Sequence, residues 1–173
     1  MRQVDGTRVV VPDLFSSHQE ADDRIALHAN YASSPGTSVC VVANDTDVFI
    51  LLLYIASGCV STLYFRQGTT KSKAGVTYHN VTELASFIGN DICKILPPFH
   101  ALTGSDFTKP FYRRSKINSF KKIISNPSYE SLLISPSTDT PNILDVQDFI
   151  IHVIYNLPKK EKTPADSWYS KNH

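Results

Sequence analysis

The sequence predicts an α/β fold with a mostly parallel sheet flanked by helices, on three observations. Short β-branched runs alternate with stretches of helical periodicity. The run Ser38 to Ala43 (SVCVVA) has no polar alternation, as in a strand buried on both faces. That run breaks at Asn44-Asp45-Thr46-Asp47, a set of helix-capping residues, and leads directly into the apolar stretch Val48 to Ala56.

Taken in order, Val9 to Val11 is a β-branched run ended by Pro12 and reads as a strand or strand remnant. Ser17-His18-Gln19-Glu20 has the form of a capping box, so a helix is expected to start there. Ala21, Ile25, Ala29 and Ala32 continue it at helical spacing, and Ser33-Ser34-Pro35-Gly36 stops it. After the SVCVVA strand, Val48 to Ala56 reads as a buried helix. Val60 to Arg66 and Val76 to Tyr78 read as strands, with the small, polar stretch Gly68 to Gly75 as a mobile loop between them. Thr82 is expected to cap a helix running to about Leu96, ended by Pro97-Pro98. Phe99 to Phe107 reads as a compact turn-bearing segment. Ser115 to Ser125 has helical periodicity through Ile117, Phe120, Ile123 and Ile124, Asn126 to Asn142 reads as a loop, and Leu144 to Leu157 as a closing amphipathic helix. Residues 1–157 are thus expected to form one α/β domain and 158–173 a polar C-terminal tail.

Composition fits that reading. The chain of 173 residues is 42% hydrophobic and 19% charged, which is globular rather than disordered composition. Its formal net charge of +1 announces no nucleic-acid partner by itself, so any such partner must be argued from local clustering. Cys40, Cys59 and Cys93 form no CxxC pair, and Cys40 and Cys59 read as small core residues. Reduced thiols and an intracellular location, nucleus or cytoplasm, are expected. The longest apolar run is far below the roughly 20 residues that span a bilayer, so no membrane association is expected. The sequons at Asn44 and Asn80 read as accidental in that compartment.

Carboxylates recur where a parallel α/β fold builds sites. Asp22 lies three before Ile25 and four before Ala26, on the sheet-facing stripe of its helix, where a carboxylate needs a partner. Glu20 is also explained by the capping box and an i,i+4 pair with Arg24. Asp45 and Asp47 follow the SVCVVA strand, and the C-terminal ends of parallel strands are where such folds place ligands. Their plainer roles are to cap the Val48 helix and to favour its dipole. Asp106, in Gly104-Ser105-Asp106, has ordinary turn chemistry as its plainer role. His100 could serve as a base, but beside Phe99 and Leu102 it reads as a packed residue bonded to backbone. Together these carboxylates supply hard oxygen ligands on three segments, a set that selects Mg²⁺ or Mn²⁺.

The series EADD, ANDTDV and LTGSDF resembles the PIN-like and flap-endonuclease superfamily of 5′ nucleases. More closely, it resembles metazoan proteins of that type with an H-x-EAD helix, a strand followed by DTDV, and an LP-x-x-HALTG-x-D turn. Here these are His18 to Asp23, Val41 to Val48 and Leu96 to Asp106, and the resemblance covers roughly residues 9 to 125. It implies a PIN-like fold over residues 1–157. It also implies one or two Mg²⁺ or Mn²⁺ ions at Glu20, Asp22, Asp45, Asp47 and Asp106, with Asp45 and Asp47 at the catalytic centre. The superfamily's first hydrophobic strand, which ends in a metal-binding Asp, has no counterpart here. Asp13 follows Pro12 but does not match its position, so the chain is expected to be N-terminally truncated.

Lys109, Arg113, Arg114, Lys116, Lys121 and Lys122 fall within fourteen residues that contain no acidic residue, with Phe111, Tyr112 and Phe120 interleaved. Such a cluster suits phosphate-backbone contacts; it is equally explained as the solvated face of the Ser115 to Ser125 helix. Two functions are therefore expected to compete. One is a metal-dependent phosphodiesterase or nuclease acting on DNA or RNA. The other is a catalytically inactive PIN-like module that binds nucleic acid or protein.

Overall fold

The structure, a computed structural model, describes residues 3–4, 7–8, 11–15, 20–71, 75–105, 108–109, 111, 114–134 and 143–157. The chain divides into two compact units, 1–108 and 109–173.

In the first unit, β1 (Gln3–Val4) and β2 (Thr7–Arg8) form a short antiparallel ladder. Of the expected Val9 to Val11 strand, only Val11 lies within the described residues; it is extended and leads into a 3₁₀ turn at Pro12–Leu14. Helix α1 (Ala21–Ala32) starts later than the capping box predicted. Glu20 is itself the N-cap and makes no side-chain cap bond, while Ser17 lies outside the described residues. Gly36, at φ +77, turns the chain after α1 as expected, because a residue without Cβ takes this conformation at no steric cost.

Strand β3 (Ser38–Val42) pairs in parallel with β4 (Thr62–Gly68), which pairs antiparallel with β5 (Val76–Asn80). The fold is α/β as predicted, but the three-stranded sheet is mixed rather than mostly parallel. β3 lies at its edge, so the expectation of a strand buried on both faces is corrected. Val42 is 62% exposed, Cys40 is exposed rather than a core residue, and only Val41 of β3 is buried. Cys93 is the fully buried cysteine.

Helix α2 (Thr46–Ala56) packs against α1 and against two later helices, α3 (Val81–Ile88) and α4 (Asn90–Thr103). Val48, Leu52, Leu53 and Ala56 recur on one face of α2 and meet Leu63 and Phe65 of β4, Val81 and Ala85 of α3, and Cys93 of α4 in one apolar cluster. Burying a side chain of this size contributes roughly 1.5–3 kcal/mol.

Asn80, rather than Thr82, caps α3 by accepting from the Glu83 N–H at 3.1 Å. Thr82 Oγ1 instead accepts from Leu63 N at 2.8 Å, tying α3 to β4. The helix expected to run to Leu96 breaks at Gly89, whose φ of +91 only glycine adopts readily. Pro97 and Pro98 do not end a helix: both lie inside α4, which continues to Thr103. Each proline lacks the N–H that would bond four residues back, at a typical cost of about 3 kcal/mol. Burial of Cys93, Ile95 and Phe99 on the flanking turns offsets that loss. Half of the predicted FHALTGSDF turn is therefore helix, and Gly104, at φ +121, closes it.

The second unit contains α5 (Lys116–Ile124), α6 (Pro127–Ile134) and α7 (Ile143–Asp148), which runs on as a π-helical turn at Phe149–Ile154. The helix expected over Ser115 to Ser125 is present as α5, and Ser115 is its N-cap, its side chain accepting from Asn118 N. α6 replaces part of the loop expected over Asn126 to Asn142. Ile123, Phe149 and Val153 are buried, and Tyr129 meets Phe149 edge-on at 6.0 Å. The predicted tail, 158–173, lies outside the described residues. No helix among the described residues is long and apolar enough to cross a membrane.

Candidate functional site

The strand–acid–helix order of SVCVVA-NDTD-VFILLLYIA places two carboxylates at the C-terminal end of β3. After β3 the chain stays against β4: Ala43 N donates to Arg66 O at 3.2 Å, and Asn44 Oδ1 accepts from Gly68 N at 2.8 Å. That anchoring fixes the start of α2. Asp45 is its N-cap, and Asp45 Oδ1 accepts from Asp47 N at 2.9 Å. The capping role foreseen for this pair is therefore filled by Asp45. Asp47 sits in the first turn, where the helix dipole favours negative charge.

Asp22 reaches the same place from α1. It is half-buried and shares a helical stripe with the buried Ala26 and Ala29, so the packing of α1 aims it inward. Asp22, Asp45 and Asp47 each offer an oxygen within 4.8 Å of the others. Three carboxylates this close repel one another, and a cation or other positive partner relieves that repulsion. Hard oxygen donors of this number suit a divalent ion such as Mg²⁺ or Mn²⁺.

His100 belongs to this arrangement, and the sequence reading misassigned it. It is not simply packed against backbone: its Nε2 donates to Asp47 Oδ1 at 2.6 Å. The two side chains are 17% and 19% exposed. The HALTG motif held the signal, but a contact across 53 residues cannot be read from local spacing.

Of the other two predicted ligands, one stands apart from the cluster and one lies outside the described residues. Glu20 is exposed at the N-cap of α1 and is not part of the three-carboxylate group, and among the described residues no ion pair joins it to Arg24. Asp106 lies outside the described residues.

The basic residues form a different picture within the second unit. Arg113 lies outside the described residues. Lys109, Arg114 and Lys121 are exposed, and Lys116 and Lys122 are half-buried. The Arg114 guanidinium lies 4.7 Å from the centre of the Tyr155 ring. Lys122 Nζ donates to His152 O at 3.1 Å and also to Asn156 Oδ1. Lys122 thus ties α5 to the π-helical turn and to Asn156 just beyond it, while Lys109 and Lys121 are exposed.

No protein-family model, curated protein or solved structure matches this chain.

Proposed function

We propose that this chain carries a divalent-metal phosphodiesterase site acting on nucleic acid, in a PIN-like setting. The observation that supports this reading is the meeting of Asp22, Asp45 and Asp47 within 4.8 Å, from two helices that flank a strand end. Asp22, Asp45 and Asp47 would hold one or two Mg²⁺ or Mn²⁺ ions, with Glu20 and Asp106 assigned to the same role by the family resemblance. A bound ion supplies Lewis-acid polarisation of the phosphoryl group and activation of water. The chain's own contribution is to fix the carboxylates: the α2 amide orients Asp45, and His100 orients Asp47. The second unit, taken by itself, exposes basic residues such as Lys109 and Lys121, whose charge suits contacts to backbone phosphates.

A second reading has its own observation. Asp45 already caps α2 and Asp47 already bonds His100, so both carboxylates also serve the fold. In that reading the chain is an inactive module that binds nucleic acid or protein. A Mn²⁺-dependent cleavage assay on single-stranded and flapped DNA separates the two. The nuclease reading expects cleavage by the wild type and none by Asp45→Asn. Binding without cleavage at any Mn²⁺ concentration favours the module.

A further inference from the structure

We propose that His100 is a positioning residue for Asp47, setting where that carboxylate points and thereby the affinity of the cluster for a divalent cation. The inference rests on the metal-site reading above and assigns a role to a residue outside the ligand set.

The two carboxylates at the start of α2 are oriented by different means. Asp45 is held by the backbone, through the Asp47 N–H. Asp47 cannot use that amide, and the last torsion of an aspartate is broad and soft. A donor from elsewhere must fix it, and His100 Nε2 does so from α4 at 2.6 Å. The donor is itself anchored. The His100 carbonyl accepts from Gly104 N at 3.1 Å, and Thr103 Oγ1 donates to Phe99 O at 2.7 Å, closing the last turn of α4. A carboxylate has about four lone-pair positions, so one bond to the imidazole leaves acceptor capacity for a cation. Lysine at this position would bring a permanent positive charge that competes with the cation; an imidazole N–H orients the carboxylate without requiring that charge.

Ligating carboxylates in metal sites are generally hydrogen-bonded in this way, and losing the outer partner costs roughly 10–100-fold in metal affinity. The test is calorimetric titration of the full chain with Mn²⁺ alone, beside a thermal melt of each metal-free variant. His100→Phe keeps a ring in place and removes the donor; His100→Gln keeps an N–H donor of similar reach. His100→Phe should bind Mn²⁺ roughly 10–100-fold more weakly than wild type. His100→Gln should recover most of that loss. A merely structural role would lower the metal-free melting temperature of both variants and leave the Mn²⁺ affinity of the folded protein unchanged. Equal affinity in wild type and His100→Phe overturns the inference and leaves the metal site standing. Should the Phe variant not fold, a His100→Gln affinity as weak as that of Asp47→Asn overturns it equally. A wild type that binds no Mn²⁺ overturns both this inference and the reading beneath it.

Discussion

His100 on α4 donates to the carboxylate of Asp47 on α2 at 2.6 Å, across 53 residues of chain. The contact exists because α4 continues through Pro97 and Pro98 to its end at Thr103. Had the helix stopped at the prolines, His100 would sit in a loop without the intrahelical bonds that hold its backbone. The helix bonds forgone at the two prolines are thus coupled to the geometry of a carboxylate cluster in the same unit.

Asp45 caps α2, and the proposed metal site would give it a second role; two substitutions separate the two. Asparagine caps helices as well as aspartate does, whereas alanine at an N-cap costs about 1 kcal/mol. Without metal, Asp45→Asn should melt near wild type, and Asp45→Ala should be less stable by about 1 kcal/mol in urea or thermal unfolding. With Mn²⁺ at a hundred times its Kd, wild type should gain about 2.7 kcal/mol. Both variants should lose most of that gain, because each removes a charged ligand. An undiminished Mn²⁺ shift in Asp45→Asn would remove Asp45 from the ligand set.

Gly68 links the sheet to the site, since its N–H donates to Asn44 Oδ1 just before Asp45. Its φ is +88, and a Cβ there would stand 2.2 Å from the Gly75 carbonyl oxygen. Gly36 has a similar φ of +77 with open space around it. Gly36→Ala should therefore cost about 1–2 kcal/mol, the conformational term alone. Gly68→Ala should cost clearly more, because backbone must shift as well. Equal midpoints for the two variants in denaturant titration would contradict the steric argument.

Much of this arrangement was legible in the sequence, for identifiable reasons. The capping chemistry of Asp45 and the inward stripe of Asp22 are local, governed by residues within one or two helical turns. Helices α1, α2 and α5 followed from periodicity in the same way. The mixed sheet was not legible, because the direction of β5 is set by its hairpin with β4 and not by its own side chains. Nor was the exposure of β3: an apolar run without alternation reads as buried, yet here it forms an edge. The proline-bearing part of α4 inverted a local rule because tertiary burial of Ile95 and Phe99 outweighed it.

The cysteines should differ in reactivity and in their effect on stability. Burial alone would raise the thiol pKa of Cys59, but bonding to Ser33 and Ser61 outweighs it and leaves the value lowered. Sγ lies 2.9 Å from Ser33 Oγ, and that hydroxyl can rotate to donate to a thiolate. Burial pushes the Cys93 thiol up. Brief iodoacetamide treatment near neutral pH should modify Cys59 and spare Cys93, as read by peptide mass spectrometry. Ser33→Ala should slow modification of Cys59. For Cys93 the folded pKa lies above the unfolded one. Its contribution to stability is complete below the ordinary thiol range and is lost as pH rises through the raised folded value. Cys93 labelling before the unfolding midpoint would contradict its burial.

The last prediction separates the basic residues by what already holds them. A backbone-phosphate contact contributes a log–log salt slope of about −0.9 on duplex or about −0.7 on single strands. Lys121 is exposed, so Lys121→Ala should flatten the slope by about one such unit while leaving stability near wild type. Lys122 is engaged by His152 O and Asn156, so Lys122→Ala should lower the melting temperature and leave the slope unchanged. Arg114 is exposed but lies over Tyr155. Replacing Arg113 and Arg114 together should flatten the slope by roughly one to two units, with a small stability loss from the ring contact. Fluorescence anisotropy against DNA and RNA at several salt concentrations reads all four proteins. Equal slopes for Lys121→Ala and Lys122→Ala would mean that the folded geometry does not select the contacts. If no binding occurs at low salt, neither the nuclease nor the nucleic-acid module survives, and the carboxylate cluster must be explained through a protein partner or through the fold alone.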